Sequence, residues 1–263
     1  MISTEMRGHP PRIFLTGASS GLGAALARHY AAQGATLGLV ARRANSLQTL
    51  AAELGGRHFV YPLDVTDAGK LNAAAADFIA RVGLPDIVIA NAGISVGTLT
   101  EEVDDLAAFA RVFAVNVMGM VNTFHPFVAA MREAKQGRLV GIASVAGIRG
   151  LPGAGAYSAS KAAGIAYLEA LRVELHGSGV RVVTVAPGYI ATPMTAVNDY
   201  AMPFLVPAEV AAHRIAVVIK RGRSYVVVPW QMAIVAKLLR IMPNALFDRI
   251  FVRAGRKPRK LIY

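Results

Sequence analysis

Tyr157 and Lys161 stand four residues apart, so on a helix the phenol and the ammonium share one face. A phenol beside a cation can do proton work that a free phenol does badly. Its ordinary pKa is about 10, and bringing it to about 7 takes roughly 4 kcal/mol of preferential phenolate stabilisation. One cation about 4 Å away supplies about that much at an effective dielectric near 20. Such a pair can protonate the alkoxide that forms when a carbonyl accepts hydride, or deprotonate an alcohol that gives hydride up. Ser144, thirteen residues upstream, can hydrogen-bond the substrate oxygen and stabilise charge there. Alone, Tyr-x-x-x-Lys is an ordinary helix face; Ser144, with Asn116 ahead of both, makes it a candidate catalytic set.

Hydride chemistry needs a carrier, and Thr16-Gly17-Ala18-Ser19-Ser20-Gly21-Leu22-Gly23 is placed to hold one. The segment lies between an apolar run and an Ala-rich helical stretch. Gly17 permits a tight turn, and Gly21 and Gly23 permit close approach of backbone, helix and ligand. Free N–H groups at the helix start would face a pyrophosphate. The bland alternative is a Gly/Ser turn before a helix.

The elements that must position these groups alternate along the chain. Arg12–Thr16, Ala35–Ala41, Arg57–Leu63, Asp86–Ala90, Arg138–Ala143, Val180–Ala186 and Ser224–Val228 read as strands. Gly21–Gln33, Ser46–Leu54, Asp67–Arg81, Asp104–Lys135, Tyr157–His176 and Pro207–Ile219 read as helices, with a kink expected near Pro126. Val/Ile/Leu-rich strands without polar alternation are buried on both faces, as in a parallel sheet. The repeated β-α-β order predicts an α/β doubly wound parallel sheet, a Rossmann fold. We read residues 1–263 as a single domain with a helical C-terminal extension over 229–263.

The glycine spacing is G-x-x-x-G-x-G, and further stations follow in order: Leu63-Asp64-Val65-Thr66, Asn91-Ala92-Gly93, Asn116, Ser144, Tyr157-x-x-x-Lys161 and Pro187-Gly188. Together they resemble the short-chain dehydrogenase/reductase family over residues 12 to about 195. The resemblance implies an oxidoreductase acting on CH–OH donors, a carbonyl reductase in the other direction. It implies a nicotinamide cofactor held by Gly17, Ser19, Ser20, Gly21, Leu22 and Gly23, with Asp64 and Val65 at the adenine and Asn91-Ala92-Gly93 beside the cofactor. Pro187, Gly188, Ile190 and Thr192 would lie around the nicotinamide carboxamide. Tyr157 and Lys161 would also touch the cofactor, Lys161 through the nicotinamide ribose, and Asn116 would link Lys161 to a water-borne proton path. The family is often dimeric or tetrameric, which implies a homodimer or homotetramer.

Ala41 stands where a ribose-binding carboxylate is expected at the end of the second strand, followed by Arg42 and Arg43. A guanidinium grips a 2′-phosphate with paired hydrogen bonds, so NADP(H) is the expected cofactor; two solvated arginines are the alternative. The prospective substrate edge, Ile94–Thr98, Val145–Gly155 and Tyr189–Val206, is apolar with few charges, which favours an apolar carbonyl or secondary alcohol. Relatives that reduce acyl-carrier-bound 3-oxo groups usually end in an Asn-Gly-Gly turn, whereas Val226-Val227-Val228-Pro229-Trp230 continues into the extension. A 3-oxoacyl thioester reductase and a non-catalytic dinucleotide-binding regulator are the alternatives.

With 54% hydrophobic and 17% charged residues, the composition has ample core. The absence of Cys excludes disulfides and thiolate chemistry, and His125, His176 and His213 show no metal-ligand spacing, so no metal is expected. The polar N-terminus, Met1–Arg12, does not read as a signal peptide, and no run reaches about 18 uninterrupted apolar residues. A cytoplasmic protein, or one on a membrane surface, is expected. The net charge of +12 is concentrated beyond residue 236, where eight Lys/Arg face Asp248 alone. The tail carries no nucleic-acid motif or interleaved aromatics, so no nucleic acid is expected. Val235, Leu238, Leu239, Met242, Leu246 and Ile250 recur at helical spacing beside Lys237, Arg240, Arg249 and Arg253. Residues 234–260 thus offer either a peripheral membrane contact or a packing face for this or a partner subunit.

Overall fold

The computed structural model describes residues 10–259; the polar N-terminal stretch through His9 and the end of the tail from Lys260 lie outside them. Strand β1 (Arg12–Thr16) leads through the glycine loop into α1 (Gly21–Ala31). There follow β2 (Thr36–Ala41), α2 (Ala44–Leu54), β3 (His58–Pro62), α3 (Ala68–Val82) and β4 (Ile87–Ala90). The second half holds α4 (Asp105–Phe113), α5 (Gly119–Glu133), β5 (Gly137–Ile142), α6 (Gly155–Glu174) and β6 (Val180–Pro187). The short β7 (Ile190–Ala191), α7 (Pro193–Ala196) and β8 (Val206–Pro207) precede α8 (Ala208–Arg221) and β9 (Tyr225–Val228). Two helices, α9 (Trp230–Ile241) and α10 (Asn244–Phe251), end the described chain with an irregular segment.

Seven strands form one parallel sheet in the order β3-β2-β1-β4-β5-β6-β9. Side chains of β1 alternate between the two faces: Ile13 and Leu15 join α1, α2 and α8, while Phe14 meets Phe78 of α3 and Phe127 of α5. Both faces are covered, which accounts for the continuous apolar strands. Each fully buried Phe or Leu here contributes about 1.5–3 kcal/mol through removal from water. The chain reverses its direction of growth between β1 and β4, so a crevice opens beyond the carboxyl ends of those strands.

The stretch Asp105–Glu133 is by length and composition apolar enough to cross a membrane, but its inner side (Val112, Phe124, Phe127, Met131) belongs to the core. Its irregularity differs from expectation. Pro126 lies within α5, and the chain departs from α geometry upstream, in a π-helical turn at Ala114–Met118. That turn carries Asn116, and such single turns often mark functional positions.

Candidate active site

The crevice at the strand ends encloses about 470 Å³ and is lined by residues from eight separate segments, from Gly17 to Thr195. It brings together the whole glycine loop, Arg42, Arg43, Asp64, Val65, Asn91-Ala92-Gly93, Ser144, Tyr157, Lys161, Pro187, Gly188, Ile190 and Thr192. Of the catalytic and cofactor residues expected from the sequence, Asn116 alone is not on its wall, and it lies behind.

Tight internal packing shapes the glycine loop. Gly17 has φ +68° and lies against Ala92, and a side chain at Gly23 would strike the Gly17 carbonyl within 2.0 Å. Asn91 donates through Nδ2 to the carbonyls of Thr16 and Gly17, each at 3.1 Å, and so ties the loop to the end of β4. Ser20 caps α1 without a side-chain hydrogen bond, which leaves the first-turn N–H groups for an anion in the cleft. A glycine-lined loop at a helix N-terminus fits a dinucleotide pyrophosphate.

At the adenosine end Ala41, at the tip of β2, is buried and offers no carboxylate. Arg42 and Arg43 are exposed, and Arg43 Nη2 donates to Ser19 Oγ at 3.3 Å. Asp64 lines the same wall but is already engaged. It accepts from the Thr66 backbone and hydroxyl and pairs with Arg111, which holds its carboxyl below the usual range against the opposing effect of burial. Asp64 therefore also caps the turn at Thr66.

At the opposite end Ser144 leaves β5, and Tyr157 and Lys161 project from the first turns of α6. Lys161 is only 5% exposed, donates to the Ile142 carbonyl at 2.8 Å and lies 5.8 Å from the Tyr157 ring centre. Burial lowers its pKa to about 8. Burial also pushes the Tyr157 phenol up, opposed by its hydrogen bond with Ser144. The expectation is that Lys161, aided by the charge of an oxidised nicotinamide, lowers the phenol; with the protein's own groups the net shift is upward. Without a further positive charge in the cleft, Tyr157 is an acid that keeps its proton.

Asn116 is 1% exposed and fully engaged. Its Oδ1 accepts from the Ile94 N–H at 2.8 Å, and its Nδ2 donates to the Ile94 carbonyl and to Ser160 Oγ. Ser160 in turn donates to the Tyr157 carbonyl at 2.8 Å. A polar relay thus runs from the π-helical turn to the helix that carries the phenol and the lysine. Ser160 was not singled out from the sequence; its position one residue before Lys161 was the available signal.

The substrate side holds a second feature the sequence did not disclose. The segment Gly255–Arg259 folds back across it. The Gly97 N–H donates to the Pro258 carbonyl at 2.9 Å, and Lys257 Nζ donates to the Met194 carbonyl at 2.9 Å. A side chain at Gly97 would strike the Lys257 carbonyl, so only glycine admits this strap. Arg259 fastens it through Asp105 and Glu102. The strap lies against Tyr200, whose phenol is pushed up to about 12 by burial and by neighbouring groups that include Tyr157. Among the described residues no group of three or more His, Asp or Glu is gathered closely enough to hold a metal ion.

The chain is matched over residues 11–201 by the family model described as short chain dehydrogenase. It is 39% identical to an uncharacterized oxidoreductase of Myxococcus xanthus over 237 residues, covering 89% of this chain and 93% of that one. It is 32% identical to the dehydrogenase/reductase SDR family member 7B of Mus musculus, covering 94% and 82% of the two chains. Among solved structures it resembles levodione reductase with a TM-score of 0.78 at 26% identity, covering 86% and 99%. The cleft at the switch point and these likenesses agree: the chain belongs to the short-chain dehydrogenase/reductase family of oxidoreductases, which use a nicotinamide dinucleotide.

Proposed function

We propose that this protein is an NADP(H)-dependent oxidoreductase that moves hydride between nicotinamide and an apolar carbonyl or secondary alcohol. The observation that carries the reading is one continuous cleft with an arginine pair at one end and Ser144, Tyr157 and Lys161 at the other. When bound, the nicotinamide supplies or accepts the hydride. Arg42 and Arg43 would hold the 2′-phosphate, where a carboxylate would repel it.

Ser144 orients the substrate oxygen and stabilises charge on it. Tyr157, kept protonated by its buried setting, gives its phenolic proton to the oxygen during carbonyl reduction. Lys161 carries its positive charge below about pH 8, and that charge favours the phenolate left behind. In the alcohol-oxidising direction the phenolate would take the proton, with the Lys161 charge favouring it. Asn116 and Ser160 keep α6 in register with the wall at Ile94. Apolar lining from Ile94, Val115 and Met194 supports a lipid-like or aromatic substrate over a sugar phosphate.

The test is a panel of apolar ketones, aldehydes and secondary alcohols followed at the nicotinamide absorbance, with NADPH and NADH side by side. Turnover with NADPH favoured is expected; no turnover of any carbonyl with either cofactor would contradict the reading.

A further inference from the structure

Helices α9 and α10 turn one side to the body and leave the other bare. Met232 and Ala236 of α9 are buried, and Phe247 of α10 lies under the guanidinium of Arg149, 4.1 Å from its ring centre. Arg149 also donates to the carbonyls of Leu239 and Met242, so the bend between the helices is fixed from inside. On the outer side Trp230, Ile234, Leu238 and Ile241 follow one another at helical spacing, 65%, 52%, 55% and 76% exposed. Leu246 and Ile250 are likewise exposed on α10. Side chains this apolar, gathered on adjacent helices, mark a surface that something covers.

The charges around this face identify the partner. Lys237, Arg240 and Arg249 are exposed on the two helices and Arg253 just beyond α10, Arg240 also reaching the Ile148 carbonyl, and Asp248 is the one acidic residue between Trp230 and Arg259. A second copy placed face to face would set these cations against their own counterparts. A nucleic acid would leave the apolar row unburied. An anionic lipid surface satisfies both, with apolar side chains at the acyl boundary and cations at the headgroups. We infer that α9 and α10 dock this protein onto anionic membranes, Trp230, Ile234, Leu238 and Ile241 entering the interface and the four cations holding lipid headgroups. This inference is independent of the catalytic reading.

Trp230 is the chain's one tryptophan, so its emission reports this face alone. The full chain, free of cofactor, is titrated with phosphatidylcholine vesicles and with phosphatidylcholine–phosphatidylserine vesicles, with co-sedimentation in parallel. A blue shift and pelleting with the phosphatidylserine vesicles alone are expected, both weakened by salt. Lys237→Glu should weaken binding by about fivefold or more, since each cation near such a surface contributes about 1 kcal/mol. The double variant Leu238→Glu/Ile241→Glu changes only outward side chains; it should melt like the parent and fail to bind. Absence of binding to either vesicle overturns the inference, as does equal binding to both or undiminished binding by the double variant. A blue shift that grows with protein concentration without lipid would instead make the face a contact between copies, and overturns it too.

Discussion

Lys161 holds its ammonium 5.8 Å from the centre of the Tyr157 ring, one helical turn away, while donating to the Ile142 carbonyl. The two groups share a face and a buried setting, and burial acts on them in opposite directions. It lowers the ammonium to about 8 and raises the phenol. At pH 7 both therefore hold their protons, one as a cation and one as a neutral acid. For carbonyl reduction, kcat/KM should be level below about pH 8 and fall about tenfold per further pH unit as Lys161 becomes neutral. A profile that stays level to about pH 9.5 would contradict the assignment.

Arg42 and Arg43 should decide between cofactors. Replacing both by Ala is expected to lower kcat/KM for NADPH by about 10–100-fold, the equivalent of one charge-assisted hydrogen bond of about 1.5–3 kcal/mol. The value with NADH should change little. Equal losses with both cofactors would instead mean damage to the glycine loop through the Arg43–Ser19 contact.

Asn116 gives a prediction about stability. Asn116→Ala removes three buried hydrogen bonds and leaves the Ile94 N–H and carbonyl unpaired. A cost of about 2–4 kcal/mol in urea unfolding is expected, since each stranded buried group costs about 1–3 kcal/mol. Because Ser160 links Asn116 to the Tyr157 carbonyl, kcat should fall more than cofactor affinity. A variant as stable as the parent would remove the relay from the account.

Much of this architecture was legible because it is local. The strands announced themselves by continuous Val/Ile/Leu runs, and Gly17, Gly21 and Gly23 by their place between a strand and a helix. Asp64 was ambiguous from its type alone: its bonds to Thr66 are local, but the pair with Arg111 appears only once α4 is packed nearby. Pro126 drew attention in the long helix, yet the departure at Ala114–Met118 has no proline or glycine to signal it. The direction of the Tyr157 shift depends on burial, which spacing cannot supply. The strap joins Pro258 to Gly97 and Arg259 to Asp105, the latter pair 154 residues apart, contacts with no periodic signature.

That strap should tune substrate access. Arg259→Ala releases the pairs to Asp105 and Glu102, and with them the segment lying against Tyr200. KM for bulky apolar carbonyls should change several-fold with kcat nearly constant, and limited proteolysis should cut the tail sooner. Unchanged KM across substrates of different size would show the strap to be a fastening with no part in selection.

Tyr157→Phe tests the role of the phenol most directly, because the ring stays and only the hydroxyl goes. NADPH binding, followed by fluorescence titration, should stay within about twofold, while carbonyl reduction should fall by about 10²–10⁴-fold, the usual contribution of a general acid. A variant that binds NADPH and reduces carbonyls at the parent rate would contradict the account.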